Sequence, residues 1–246
     1  MEWHARFEVQ AGWTRAIRLH LYAQAGLKKA RQVLEVGCGT GVLTAELSHE
    51  TRARVNGLDM DRNFLSLAQK LDRKTRYLLG DGKLLPYRSG TFDLVLCHFF
   101  LLWVRDPLQA LLEMKRVTRR GRAVLALAEP DYGGRIDYPE SLAELGRQQT
   151  ERLRGAGANP LIGRELAGLF ARAGLIDVET GVLGGEWHHP LPAKERESEW
   201  ATLQADLGGQ VPSDRLEELR AVEQAAVESG ERVLYVPTFY AIGCVG

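Results

Sequence analysis

Cysteine is scarce, neither charge predominates, and no long apolar run occurs; each shortage removes a class of protein. Cys38, Cys97 and Cys244 are the only three cysteines in 246 residues, and no two form a CxxC pair. An odd, scattered set argues against a disulfide framework or a zinc ribbon and for a reducing compartment. Lysine plus arginine equals aspartate plus glutamate at 32 each, so no global basic field exists to hold nucleic acid or an anionic membrane. No stretch approaches the roughly 18 apolar residues that cross a bilayer. The first ten residues, MEWHARFEVQ, carry charge where a secretory signal has an apolar core. Repeats and low-complexity segments are missing too. The expectation is a cytoplasmic protein with neither a nucleic-acid nor a membrane partner.

What remains is ordinary globular material, 45% hydrophobic and 26% charged, long enough for one large core with insertions. Short apolar runs alternate with helical patterns, the mark of βαβ units on a parallel sheet. Strands are expected at Val33–Val36, Arg54–Leu58, Tyr77–Leu79, Asp93–Cys97, Ala123–Ala128, Ile176–Leu183 and Tyr235–Val245. Helices are expected near Val42–His49, Arg62–Leu71, Pro107–Thr118, Pro139–Arg154 and Gly163–Ala173. The chain reads as a single domain, with a core over 30–183 and 233–246. Residues 1–29 form an aromatic-rich helical cover. Residues 184–232 form an insertion with helices near Glu195–Leu207 and Ser213–Glu228. Both are placed to cover the sheet's ligand edge. The basic clusters Lys28-Lys29-Arg31, Arg73-Lys74-Arg76 and Arg116-Arg119-Arg120-Arg122 all fall between a helix end and a strand. Cations are favoured there by the helix dipole, and those junctions lie on the edge opposite the ligand.

The stretch VLEVGCGTG, from Val33 to Gly41, sets three alternate glycines behind a strand. A second strand ends in Gly57-Leu58-Asp59-Met60-Asp61, which puts a carboxylate where a ribose diol is held. A dinucleotide fingerprint would need a third glycine at residue 42 or 44, and these are Val42 and Thr44. A phosphate-binding lysine is missing as well. A ribose-bearing ligand without phosphates fits this loop.

These motifs, followed by LLGDGKLLPYRSGTFDLVLCHFFLLWV and RRGRAVLALAEPD, resemble class I S-adenosylmethionine (SAM)-dependent methyltransferases, specifically the ubiquinone/menaquinone-biosynthesis-like small-molecule branch. The resemblance is good over residues 31–130 and covers the rest in outline. It implies a Rossmann-like α/β fold with a seven-stranded sheet, order 3-2-1-4-5-7-6, the last strand antiparallel. It also implies SAM as cofactor, S-adenosylhomocysteine as product and a small molecule as methyl acceptor.

Carried over by position, Gly37, Cys38, Gly39 and Gly41 would meet the methionine and ribose portions, and Glu35 would orient the amino group or the loop amides. Asp59 would hold the ribose hydroxyls and Met60 the adenine face. Asp81 and the Gly82 amide would read the adenine edge, and Cys97 and His98 would pass near the methyl group. The family's usual Pro-Gly-Gly before the fifth strand is here Arg120-Gly121-Arg122, on the edge away from the cofactor.

Methyl transfer needs alignment and water exclusion, and a base only when the acceptor is poorly activated. His98, Asp131 and Tyr132 are the candidates for that base. An acceptor pocket is expected from Phe99, Trp103 and Tyr132, closed by Trp13 and by Trp187 or Trp200. Cys97 lacks the Pro-Cys or Thr-Cys setting of a nucleophile and reads as a small hydrophobe. His188-His189 has no partner at ligand spacing, so no metal is expected. The alternatives are a SAM-binding protein without catalysis, a nucleic-acid or protein methyltransferase, or a nicotinamide-dependent oxidoreductase.

Overall fold

A computed structural model describes residues 3–185, 197, 200–204, 207 and 211–246. The strands are β1 (Gln32–Val36), β2 (Arg54–Asp59), β3 (Arg76–Leu79), β4 (Phe92–Cys97), β5 (Thr118–Pro130), β6 (Ile136–Tyr138), β7 (Leu175–Val182), β8 (Val233–Tyr235) and β9 (Thr238–Val245). The helices are α1 (Trp3–Trp13), α2 (Arg15–Gln24), α3 (Val42–Glu50), α4 (Arg62–Leu71), α5 (Pro107–Val117), α6 (Ala143–Gly155), α7 (Ile162–Arg172) and α8 (Ser213–Glu228). Seven strands form one sheet in the order β3-β2-β1-β4-β5-β9-β7. β9 runs antiparallel to both β5 and β7, while β1 to β5 are mutually parallel. With β7 and β9 as sixth and seventh strands, this is the order 3-2-1-4-5-7-6.

All six residues of β4 are buried, which explains the apolar run Leu94–Cys97. Val95 and Cys97 pack with Leu111, Met114, Leu169 and Phe170 of α5 and α7. Leu94 and Leu96 face the opposite core, with Leu21, Tyr22, Leu43 and Leu47 of α2 and α3. Helix starts follow the carboxylates: Asp61 accepts from the amides of Asn63 and Phe64 at the head of α4, and Asp106 from Gln109 at the head of α5.

The basic clusters are partly absorbed at the sheet's amino edge. Arg119 pairs with Asp93 at 2.5 Å, Arg116 pairs with Glu113 at 2.6 Å, and the Lys115 amine donates to the carbonyls of Ala173 and Gly174 at the end of α7.

Three features differ from expectation. The last strand is split, because Pro237 has no N–H for a ladder and its carbonyl instead accepts from the Asp131 amide. The front piece, β8, pairs with β6 in a second, two-stranded sheet that three-residue strands do not announce. The helix expected from Pro139 starts at Ala143, after a 3-10 turn over Glu140–Leu142. Of the insertion, α8 matches its expected span, while Trp187, His188-His189 and much of Glu195–Leu207 lie outside the described residues.

Candidate functional site

The carboxyl ends of β1, β2 and β4 meet at the glycine loop. The amides of Gly37 and Cys38 both donate to the Leu58 carbonyl, at 2.8 and 3.0 Å, which ties the loop to the end of β2. Gly37, Gly39 and Gly41 have φ of 74°, 52° and 82°, a region that side-chain-bearing residues rarely adopt. Space is short as well: a Cβ on Gly37 would overlap Phe100, and one on Gly41 would overlap the Tyr77 hydroxyl. Gly41 then caps α3, leaving that helix's first amides open to a ligand carboxylate.

The expected cofactor residues gather at this edge. Asp59 Oδ2 accepts from the Gly39 amide at 2.7 Å and Oδ1 from the Asp61 amide at 2.8 Å, so it braces the loop that it faces. The Asp81 side chain is half exposed and holds the Lys83 amide, and Met60 is 78% exposed beside it. Gly82 is buried, with space for a Cβ closed off by Phe100 at 2.6 Å.

Beneath the loop, Glu35 is enclosed, and among the described residues its Oε2 has no hydrogen-bond partner. Burial pushes its carboxyl well above the usual range; Asp59 adds to the rise and Arg18 opposes it. A buried, orphaned carboxylate oxygen two positions before the first glycine fits a ligand that brings an ammonium group.

A cavity of about 190 Å³ adjoins the loop, lined by His4, Thr40, Gly41 and Tyr77. It lies behind the loop toward α4, and its volume falls below the range of about 300–1,000 Å³ typical of ligand pockets.

Helix α1 lies against the loop through His4 and two of the aromatics of residues 1–29, Trp3 and Phe7. His4 Nδ1 bonds the Thr40 hydroxyl at 2.9 Å, and Phe7 lies 3.0 Å from where a Gly39 Cβ would stand. Phe7 meets Phe64 edge-on at 5.5 Å, and Trp3 joins that cluster.

Two of the proposed bases are committed elsewhere. The buried Asp131 carboxylate takes two bonds from Arg164, at 2.5 and 2.7 Å, and one from the Gly133 amide. It is a brace for the turn after β5. His98 Nε2 is engaged by the Thr14 hydroxyl at 2.9 Å, and Arg18 in turn bonds that hydroxyl. Burial, together with the Arg18 charge, lowers His98 to about 3, which makes it a weak proton acceptor. Its task is to tie the α1–α2 corner to the end of β4. Cys97 is buried, and its thiol is pushed upward by that burial, so a nucleophilic thiolate is disfavoured.

The lowered His98 value sets an acid dependence. The folded pKa lies below that of the unfolded chain, so the unfolded state binds more protons between about pH 3 and 6.5. Stability contributed at neutral pH is lost as pH falls through that window, by up to about 1.4 kcal/mol per unit. Urea unfolding at pH 7.5 and pH 5 is expected to show a steeper loss for the wild type than for His98→Gln.

Among the expected acceptor residues, Phe99 meets the His98 ring edge-on at 4.5 Å, and Trp13 precedes the Thr14 that holds this histidine. Trp103 closes the 3-10 turn after β4, and both tryptophans are more than half exposed. Tyr132 begins the turn after β5 and lines an open groove of about 470 Å³ against α6. Trp200 does not join them. It is 6% exposed, in a separate core with Leu142, Leu145, Leu216 and Leu219, where its apolar area holds the insertion onto α6.

Similarity to known proteins agrees with this geometry. A family model described as a methyltransferase domain matches residues 34–126. A phosphoethanolamine N-methyltransferase of Haemonchus contortus, solved with phosphomonomethylethanolamine and S-adenosylhomocysteine, shares the fold at a TM-score of 0.60. That match has 16% identity and covers 95% of this chain and 52% of the other. A methyltransferase of Schizosaccharomyces pombe is 33% identical over 155 residues, 58% of this chain and 55% of its own. A demethylmenaquinone methyltransferase of Bacillus pumilus is 31% identical over 173 residues, 62% of this chain and 74% of its own. The chain belongs to the class I SAM-dependent methyltransferases. Within this methyltransferase family it spans about half the length of the first curated relatives it matches, from 44 to 55%. Phe100 and Glu129 escaped the sequence reading; an acid closing the apolar run AVLALAEP was the available signal for Glu129.

Proposed function

We propose that this protein transfers a methyl group from SAM to a small-molecule acceptor by in-line displacement. The observation that carries the reading is the loop itself. Three positive-φ glycines, the Asp59 carboxylate and the orphaned Glu35 oxygen converge at one sheet edge. When bound there, SAM supplies an electrophilic methyl group on a sulfonium. Glu35 and the loop amides would hold the amino-acid end, Asp59 the ribose hydroxyls, and Met60, Asp81 and Gly82 the adenine. Helix α1 would exclude water above the loop, and Phe99, Trp13, Trp103 and Tyr132 would line the acceptor side.

With His98 and Asp131 committed to structure, an acceptor that arrives already nucleophilic fits best, and Tyr132 is the remaining candidate for a base. Relatives named for demethylmenaquinone and for the malonyl group of an acyl carrier protein support a small-molecule acceptor. Among the described residues no helix is long and apolar enough to cross a membrane, and the three free cysteines favour a reducing, cytoplasmic setting.

Calorimetric titration with S-adenosylhomocysteine tests the cofactor. At a hundredfold excess over Kd the ligand is expected to add about 2.7 kcal/mol of stability, whereas NAD and NADP add none. Asp59→Ala removes both ribose bonds and the brace on Gly39, and each charged hydrogen bond contributes about 1.5–3 kcal/mol. At least tenfold weaker binding is expected. Unchanged affinity in that variant would remove Asp59 from the site.

A further inference from the structure

We infer that Glu129, on β5, is a positioning residue for the methyl-transfer site: its carboxylate fixes the Phe99–Leu102 turn, and that turn sets the floor of the cofactor cleft. The inference rests on the cofactor reading above. Glu129 is fully buried, and among the described residues it answers to three backbone amides and to no cation. It is held by three backbone amides. Oε1 accepts from Phe100 at 3.0 Å and from Leu101 at 2.8 Å, and Oε2 accepts from Leu102 at 3.1 Å. Three successive N–H groups converge on one side chain only if the chain turns sharply just before them.

That turn is made at Phe99, whose φ of 48° puts a bulky residue in the left-handed region. Such a conformation is strained and persists only where its surroundings hold it. Here the holders are the Phe99 amide on the Ala128 carbonyl at 2.8 Å, the Glu129 carboxylate on the next three amides, and the Asn159 amide on the Leu102 carbonyl at 2.7 Å.

The consequence reaches the cofactor edge through one ring. Phe100 fills the space in which a Cβ of Gly37 or of Gly82 would stand, and these are the glycines expected to meet the methionine end and the adenine. His98 and Phe99, at the near end of the same turn, face the acceptor side. A carboxylate that touches neither ligand thus fixes both faces of the site. Burial raises Glu129 to about 7, opposed by the three amide bonds, so the isosteric Glu129→Gln is expected to be tolerated by the fold. Its amide group offers one acceptor oxygen and opposes an N–H donor to the third backbone amide.

The test is calorimetric titration with S-adenosylhomocysteine of the wild type, Glu129→Gln and a control, Leu169→Ala on α7. Each is also unfolded in urea. Positioning predicts at least tenfold weaker binding in Glu129→Gln at a temperature where it is fully folded. The control, although destabilised, keeps wild-type affinity. Wild-type affinity in folded Glu129→Gln would overturn the inference and leave the cofactor reading intact; no binding by the wild type would overturn both. Amide hydrogen exchange on the wild type reads the same turn without any variant. Protection of Phe100, Leu101 and Leu102 is expected to match that of β5, and exchange within seconds would sink the proposal.

Discussion

Replacing Gly37 with valine is expected to abolish S-adenosylhomocysteine binding and to lower stability by about 1–3 kcal/mol through backbone strain alone. Two independent effects act at that position. The φ of 74° is open to glycine, but it crowds the Cβ of an L-residue against its own carbonyl, most severely for a β-branched one. The new Cβ would also overlap Phe100 Cδ2, and this ring cannot retreat freely. Its backbone amide is held by Glu129, and its far side closes the space above Gly82. Relief must come from the loop, which then moves off the Leu58 carbonyl that now receives the Gly37 and Cys38 amides. Gly90 is the contrast. It has φ of 63° but nothing within 4 Å of a Cβ, so Gly90→Ala is expected to incur only the backbone cost and to keep full affinity. Urea unfolding and titration of both variants check this. Wild-type affinity in Gly37→Val would separate the loop from the cofactor.

Local chemistry makes part of this site legible in the sequence. A strand and a glycine loop are written within nine residues, a helix starts at the next, and Asp59 follows at the tip of the second strand. The spans of α4 and α8 follow from periodicity and, for α4, an Asp cap. What stayed hidden depends on residues distant in the chain. Glu129 reaches amides 27 to 29 positions away, and Thr14 reaches His98 across 84. Neither pairing leaves a periodic trace, because each depends on one or two isolated side chains and not on a repeating pattern. His98 and Asp131 illustrate the cost of reading place without partners. Both stand at the carboxyl edge, as expected, yet His98 is hydrogen-bonded to Thr14 and Asp131 is paired with Arg164. Trp200 shows the same limit for packing. An aromatic in an insertion can face the ligand or the insertion's own core, and here Leu142, Leu216 and Leu219 take it. The β6–β8 pair was silent because three-residue strands are too short to show a period.

That small sheet carries the other large effect. Asp137→Ala is expected to destabilise the protein by about 3–5 kcal/mol, the usual consequence of removing one partner from a buried ion pair. The Asp137 side chain is 3% exposed and holds two arginines whose own side chains are 5 and 7% exposed. Arg135 Nε meets Oδ2 at 2.6 Å, and Arg232 Nη2 meets Oδ1 at 3.1 Å. Arg135 also bonds Gln149 of α6, and Arg232 faces Glu223 of α8 at 3.5 Å. One carboxylate thus joins β6, α6 and the segment after α8. Gly146 belongs to the same device, since a Cβ there would overlap Asp137 Oδ2. Without Asp137, Glu223 would be left as the carboxylate facing two largely buried guanidiniums that cannot shed their charge. The glycine loop lies on other elements, so the folded fraction of Asp137→Ala is expected to bind S-adenosylhomocysteine with wild-type affinity. Tyr132, three residues before Arg135, leads into this network from the acceptor side. A rise in KM for the acceptor with cofactor affinity unchanged is therefore the expected kinetic signature. Loss of cofactor affinity in folded Asp137→Ala would mean that the two-stranded sheet and the glycine loop are coupled.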